Sequence, residues 1–440
     1  MKIFFISLGC DKNLVDSEMM MGLLRQRGYE FTDDESDADV AVVNTCGFIN
    51  DAKEESINTI LEMAALKEKK LKALVVTGCL AERYKDEIMS EIPEIDAVVG
   101  TTAFDKICDA LDAVLDGKCF RAYEDVDRLC RPDSERIITT GGYYSYLKIA
   151  EGCDKRCTYC SIPYIRGSYR SVPMEELIKE AEYLAKKGVR ELILVAQETT
   201  VYGKDIYGKK MLPTLLNKLC EIKDIVWIRL QYCYPEEITD ELIEVIRDNK
   251  KICNYIDMPI QHASDSILKK MGRRTDNTQL RDIIAKIRKE IPDICLRTTI
   301  ITGFPGETTK DHEILLDFID EMEFDRLGVF TYSPEEDTPA AMMDNQIDEE
   351  VKLTRKDEIM ELQQEVSIDK SAELVGKIME VIIEGRASDE DVYVGRTYMD
   401  APGIDGYVFI NTEEELMSGD FAYVKITKAL EYDLIGELTR

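Results

Sequence analysis

Apolar residues in the first third of the chain come in short unbroken runs, separated by longer stretches of helical period. Residues 2–8, 40–43 and 73–76 are mainly aliphatic and aromatic runs too short for helices, and they read as buried strands. Residues 14–28 and 52–68 carry apolar positions three and four apart, the stripe of an amphipathic helix. Residues 95–99 and 104–115 repeat the strand–helix alternation. Strands separated by helices pair in parallel through right-handed crossovers. Residues 1–122 are therefore expected to form a parallel-sheet α/β domain. Residues 123–140 are polar and charged and read as a linker.

The alternation resumes over residues 141–370. Its strands are expected at 146–150, 191–196, 226–230, 255–259, 297–302 and 326–332, with helices between them, for example 174–187 and 277–290. Six β/α units fall short of a closed eightfold barrel and predict a partial (β/α)6 barrel, with its active site at the carboxyl ends of the strands. From residue 371 the helical period stops. Short β-rich runs at 377–383, 392–396, 406–410, 421–428 and 434–438, separated by Gly and Asp turns, predict a small β-barrel over 371–440. The fold class is α/β with a small β-barrel at the end.

Length agrees with this division, since 440 residues make about three domains at roughly 150 each. No apolar run approaches the ~20 residues that cross a bilayer. The N-terminal run reads as a strand, without the cleavage site of a signal peptide, so a cytoplasmic location is expected. Thirteen cysteines in a reducing compartment point to metal binding before disulfides. The net charge of −31 repels nucleic acid at long range and attracts basic partners. Residues 371–440 hold six Lys/Arg against fifteen Asp/Glu, a net of −9.

Cys153, Cys157 and Cys160 stand in Glu151-Gly-Cys-Asp-Lys-Arg-Cys-Thr-Tyr-Cys-Ser161, a CxxxCxxC loop that follows the first barrel strand. Iron–sulfur clusters normally take four cysteines. Three on one short loop leave one iron open, and an open coordination site is where chemistry happens. A zinc site would need further ligands, and the chain has only His262 and His312. A second triplet comes from topology. Three strands of the first domain run into Leu8-Gly9-Cys10, Asn44-Thr45-Cys46 and Thr77-Gly78-Cys79. In an open parallel sheet, ligands bind beyond the carboxyl ends of the strands, so these three thiols are expected to converge on a second cluster.

With these residues in place, the chain resembles the methylthiotransferase family of radical S-adenosylmethionine (SAM) enzymes. The matching motifs are Gly9-Cys-Asp-Lys-Asn-Leu-Val-Asp-Ser-Glu18, Asn44-Thr-Cys-Gly-Phe48, Gly78-Cys-Leu-Ala81 and the cysteine loop through Pro163 with Arg166-Gly167. The resemblance covers essentially the whole chain, and the C-terminal barrel is similar to a TRAM domain. It implies two [4Fe-4S] clusters, one on Cys153, Cys157 and Cys160 and an auxiliary one on Cys10, Cys46 and Cys79. It also implies SAM as both radical source and methyl donor, and an electron donor such as flavodoxin or ferredoxin. Tyr159 is expected to pack on adenine, and Gln197 and Glu198 to meet the methionine amine. Arg297 and the run from Ile301 through Gly303 to Glu307 are expected to line the ribose or carboxylate. Gln261-His262 resembles a family motif but reads as structural. The remaining cysteines, Cys108, Cys119, Cys130, Cys220, Cys233, Cys253 and Cys295, have no motif around them and read as mostly structural.

Within the family, Asp11-Lys12-Asn13-Leu14-Val15 and Asp400-Ala-Pro-Gly-Ile-Asp-Gly-Tyr-Val408 are similar to the branch that modifies ribosomal protein S-twelve. The transfer-RNA branch usually carries Gln-Met-Asn at the first of these. The implied reaction adds a methylthio group to the β-carbon of an aspartate, giving 3-methylthioaspartate. The acidic C-terminal segment agrees, because an RNA-gripping domain is expected to be basic. Two alternatives stand beside this reading: a transfer-RNA methylthiotransferase, and an iron–sulfur protein that carries clusters or senses redox state without turnover.

Overall fold

The computed structural model describes residues 1–132, 135–387 and 392–439. Two positions of the expected linker, 133 and 134, lie outside the described residues. The chain divides into two compact units, and neither is continuous in sequence. The first takes Met1–Thr139, Ala150–Val172 and Ser333–Ala341; the second takes Thr140–Ile149, Pro173–Tyr332 and Met342–Arg440.

The first unit is built on six parallel strands: β1 (Lys2–Ser7), β2 (Glu30–Thr32), β3 (Val40–Thr45), β4 (Ala73–Gly78), β5 (Ala97–Val99) and β6 (Phe120–Ala122). Their order is β2-β1-β3-β4-β5-β6. β3 and β4 are buried along their whole length, the reason their sequences are unbroken apolar runs rather than alternating ones. The two edge strands escape the sequence reading because each has three half-exposed or exposed residues and no apolar run. The crossovers carry α1 (Asp11–Gln26), α2 (Asn50–Ala65), α3 (Cys79–Glu91) and α4 (Ile107–Leu115). α1 starts three residues before the expected helix, because Cys10 is its N-cap and Asp11 complements the dipole of its first turn.

The chain next supplies β7 (Tyr144–Lys148) to the second unit. It then returns to the first for an antiparallel pair, β8 (Ala150–Glu151) and β9 (Arg170–Ser171), which brackets the cysteine loop. The second unit continues with β10 (Glu191–Val195), β11 (Trp227–Leu230), β12 (Ile252–Asp257), β13 (Cys295–Thr302) and β14 (Arg326–Thr331). These form one parallel sheet in the order β14-β13-β12-β11-β10-β7. Six strands in chain order is the arrangement that six β/α units require. After a long helix, Glu349–Ala372, the strands β15 (Ile378–Arg386), β16 (Tyr393–Thr397), β17 (Val408–Asn411), β18 (Phe421–Ala429) and β19 (Leu434–Leu438) close a barrel in the order β15-β16-β17-β19-β18. No helix among the described residues is long and apolar enough to cross a membrane.

The small barrel is fastened to the parallel sheet by buried charge. Glu191, at the start of β10, accepts from Arg229 Nε at 2.7 Å and from Arg396 Nη2 at 2.8 Å, and all three side chains are fully buried. Arg229 also donates to the Tyr398 carbonyl at 2.6 Å, and Arg396 reaches Glu384. Beside this network Arg326 meets Asp400 at 2.6 Å, and Tyr255 donates to Asp405 at 2.9 Å. Trp227 packs edge-on against Phe421. Residues from the starts of the sheet strands and from the barrel therefore share one core.

Burial pushes the Glu191 carboxyl up, but the two guanidiniums overcome it and hold it below its ordinary value. A depressed carboxylate contributes stability above its unfolded pKa of about 4.3, and that stability is lost as pH falls through the lower folded value. Removing one partner leaves buried guanidinium charge uncompensated, at a cost of about 3–5 kcal/mol. Glu191→Gln is thus expected to lower the unfolding free energy of the second unit, read from its urea midpoint and slope, by that order at pH 7, and by less below pH 4. A midpoint unchanged at pH 7 would contradict the fastening role.

Candidate metal centre

The three N-terminal thiols leave one edge of the first unit's sheet from neighbouring strands. Cys10 caps α1 three residues after β1, Cys46 follows β3 directly, and Cys79 opens α3 directly after β4. The turns that deliver them are tight. Gly9 has φ +85°, and a Cβ there would lie 2.8 Å from Cys46 Cβ and 3.0 Å from its Sγ. Gly78 has φ +94°, and a Cβ would lie 2.2 Å from the Asn44 side-chain oxygen. Both positions need glycine for the left-handed backbone and for close approach.

Asn13 and Asn44 lock this edge. Asn13 Nδ2 donates to the Leu8 carbonyl at 3.1 Å and the Thr45 carbonyl at 2.9 Å, tying the ends of β1 and β3 together. Asn44 Nδ2 donates to the Asn13 carbonyl and to Ser17 Oγ. Ser56 Oγ accepts from the Cys46 amide at 3.0 Å and donates to its carbonyl at 3.0 Å. Further out, Glu335 is buried between two cations, Lys53 Nζ at 3.0 Å and Arg83 Nη1 at 2.8 Å, and Arg83 also donates to the Gly47 carbonyl at 3.0 Å.

The CxxxCxxC loop belongs to the same compact unit. Cys153 and Cys157 are buried and Cys160 is half-buried. The loop is held by the Cys153 amide on the Gly167 carbonyl and the Cys160 amide on the Cys157 carbonyl, both at 3.1 Å. Thr101 Oγ1 donates to the Ile165 carbonyl and so ties the loop's exit to the end of β5. Six residues beyond Cys160, Arg166 is fully buried. Its Nη1 donates to Asp16 at 2.7 Å and to Glu151 at 3.1 Å; its Nη2 donates to Asn13 Oδ1 and approaches Cys79 Sγ at 3.4 Å. The sequence motif contains this arginine, but nothing in the spacing assigns it a partner 87 residues away.

The donor set fits iron–sulfur clusters. Each triplet is thiol only, a donor set that suits an iron–sulfur cluster rather than a Cys₂His₂ zinc site. Among the described residues no three groups close on a single ion-sized point. A cubane asks for something different, because each thiolate takes its own iron. Burial pushes the Cys79 thiol up to about 12; Arg166 opposes this and the nearby Cys10 and Cys46 reinforce it. Burial likewise raises Cys46. Buried thiols of this kind become thiolates when a metal supplies the positive charge.

The sheet of the second unit carries strain at its carboxyl edge. Tyr232, after β11, and Gln261, beyond β12, have φ of 58° and 71°. Gly303, after β13, has φ +71°, and its amide and that of Phe304 donate to the buried Glu307. Glu307 also accepts from Arg355 at 2.9 Å. Among the described residues the buried side-chain oxygens of Gln231 and Gln261 find no hydrogen-bond partner. Amide acceptors at this edge suit an ammonium or a ribose hydroxyl; sequence reasoning missed Gln231 and read the Gln261-His262 pair as structural. Gln197 and Glu198 follow β10 at the same edge, where Thr200 Oγ1 donates to Glu198 at 3.0 Å. Tyr159 is half-buried within the cysteine loop.

Arg297 is placed differently from its expectation. It is the third residue of β13, near the amino end of the strand, and its guanidinium is taken by Asp257 at 3.0 Å and Asp405 at 3.3 Å. It belongs to the fastening of the small barrel. His262 is fully buried; its Nδ1 accepts from the Ala263 and Ser264 amides, and burial lowers its pKa to about 3. Of the cysteines without motif context, five are buried, Cys220 is half-buried and Cys119 is exposed.

Gly9→Ala introduces left-handed strain of about 1–2 kcal/mol and forces Cys46 aside. The expected result is a lower unfolding midpoint, together with faster modification of Cys46 by a thiol reagent in the metal-free protein. Unchanged labelling would show that the turn does not set the position of Cys46.

Residues 2–100 match a family described as Uncharacterized protein family UPF0004, residues 147–319 the Radical SAM superfamily, and residues 375–439 the TRAM domain. The chain is 64% identical over 437 residues to the ribosomal protein uS12 methylthiotransferase RimO of Lachnoclostridium phytofermentans, covering 99% of each. It is 52% identical over 444 residues to the protein of that name from Acetivibrio thermocellus, covering 99% of this chain and 98% of the relative. Among solved structures, the radical S-adenosylmethionine methyltransferase TsrM from Kitasatospora setae, with cobalamin and a [4Fe-4S] cluster bound, superposes with a TM-score of 0.57. That match has 12% identity, covers 78% of this chain and 74% of the other, and bears on the fold alone. With such identity sustained from end to end, the chain belongs to the ribosomal protein uS12 methylthiotransferase RimO family.

Proposed function

We propose that the chain is a radical SAM methylthiotransferase that modifies ribosomal protein uS12 (S-twelve), replacing a hydrogen on the β-carbon of one aspartate to give 3-methylthioaspartate. The observation that carries this reading is two thiol-only triplets in one compact unit. A cluster carrier needs cysteines, but it does not need a second triplet beside a radical SAM loop. The relatives that match from end to end carry the methylthiotransferase name.

Cys153, Cys157 and Cys160 would hold one [4Fe-4S] cluster, and Cys10, Cys46 and Cys79 the other. When bound, the clusters and SAM would supply the carbon radical, an open iron at which sulfur is presented and the methyl group, chemistry that no side chain provides for an unactivated C–H bond. The chain's own part is to bind, orient and neutralise. Gln197, Glu198 and Gly303, with the acceptor oxygens of Gln231 and Gln261, are the proposed contacts for SAM at the strand ends, and Tyr159 is the proposed stacking partner of adenine. Glu307 keeps the Gly303 turn in shape through the two amides it accepts.

The C-terminal barrel supports a protein substrate over transfer RNA. Its net charge is −9, and Glu413, Glu414 and Glu415 are exposed on one loop. Such a surface steers a basic ribosomal protein toward it and repels phosphate. A low-potential donor such as flavodoxin or ferredoxin would supply the electrons, in the cytoplasm.

The test uses the full chain with both clusters reconstituted, a chemical reductant, SAM, sulfide as sulfur source and purified uS12. Expected products are 5′-deoxyadenosine and uS12 heavier by one methylthio group. Cys153→Ala should abolish both. Cys79→Ala should abolish methylthiolation while SAM cleavage persists, since only one triplet generates the radical. Cleavage of SAM with no change in uS12 mass in the parent protein would overturn the substrate; absence of cleavage would overturn the reading as a radical enzyme.

A further inference from the structure

Arg166 links the CxxxCxxC segment, to which it belongs by sequence, to the N-terminal cysteine turns, which it contacts. By sequence it belongs to the CxxxCxxC segment, six residues past Cys160. By contact it belongs to the N-terminal triplet, with Nη2 at 3.4 Å from Cys79 Sγ and bonded to Asn13, the residue that ties β1 to β3. It is fully buried, and two carboxylates on its other nitrogen, Asp16 at 2.7 Å and Glu151 at 3.1 Å, fix its orientation. A guanidinium cannot lose its proton in this setting, so a permanent positive charge stands against one thiol of the triplet. For structure alone, a buried cation costs desolvation, and an apolar side chain would pack without that cost.

We propose that Arg166 is a positioning residue that sets the reduction potential of the auxiliary cluster on Cys10, Cys46 and Cys79. The inference rests on the reading of those three cysteines as cluster ligands. Its physical basis is that hydrogen bonds to ligand sulfur and nearby net charge both tune an iron–sulfur potential. An N–H donor and a positive charge at Cys79 stabilise the reduced, more negative cluster. Because Asp16 and Glu151 partly offset that charge, they set how much of it the cluster feels. Glu151 and Arg166 flank the radical loop on either side, so the loop and the auxiliary site are held by one ionic group. The sulfur-presenting site is thereby kept in register with the loop that generates the radical.

The test is a potentiometric titration of the auxiliary cluster alone, read by electron paramagnetic resonance. The background is the full chain with Cys153, Cys157 and Cys160 replaced by Ala. In it, Arg166→Gln should shift the midpoint to more negative potential, lowering the ratio of reduced to oxidised cluster about tenfold at fixed potential, or 59 mV for one electron. Asp16→Asn should shift it the opposite way, because the guanidinium is then less neutralised. Arg166→Lys, which keeps the charge, should restore much of the parent value. A merely structural arginine would not give shifts of opposite sign. If Arg166→Gln does not retain the cluster, the Asp16→Asn shift decides. Clusters present with midpoints unmoved, or an Asp16→Asn shift toward negative potential, would overturn the proposal for Arg166 alone. No iron in the background chain would overturn the reading of the triplet as well.

Discussion

Parallel strands that lie side by side must all release the chain at the same edge of their sheet. The rest of the first unit depends on that constraint. β1, β3 and β4 are neighbours, each ends in a turn that carries a cysteine, and the turns cannot diverge because Asn13 holds the carbonyls of two of them. Glycine at positions 9 and 78 lets the backbones approach closely enough for the thiols to share one region. Site geometry here is a consequence of sheet topology, and the helices that follow each turn fix the strands in that order.

Charge buried in pairs does the remaining work of placement. In the first unit Arg166 joins the cysteine loop to the N-terminal turns, and Glu335 is clamped by Lys53 and Arg83 next to the Cys46 turn. In the second unit Glu191, Arg229 and Arg396 join the small barrel to the sheet. Each network is expensive to desolvate and is satisfied only when its partners stand in one arrangement. The geometric demand of such contacts gives specificity that apolar packing alone leaves loose. It also explains the 400–408 segment, whose Asp400 and Asp405 answer Arg326 and Arg297.

Core strands such as β3, β4 and β10 were legible in the sequence because they are buried apolar runs, and helices such as α4 because they carry an amphipathic stripe. Cys10, Cys46 and Cys79 were legible because they recur at one topological position, and Cys153, Cys157 and Cys160 by their spacing on one loop. Short edge strands such as β2 and β6 were not, since half-exposed residues at a sheet edge carry no periodic signal. The networks were not legible either. Arg396 meets Glu191 across 205 residues of sequence, and no local pattern encodes such a pairing. Arg297 shows the same limit from the other side. A lone arginine on a strand looked free to bind a ligand until the fold placed Asp257 and Asp405 around it.

The proposed target of this chemistry is one aspartate of ribosomal protein uS12. The most direct measurement is the mass of ribosomal protein uS12 purified from cells with the gene intact and from cells lacking it. One aspartate-containing peptide is predicted to carry a methylthio increment only in the intact strain. An unmodified peptide in both strains would contradict the account, and the nucleosides of transfer RNA would then be the place to look for the product.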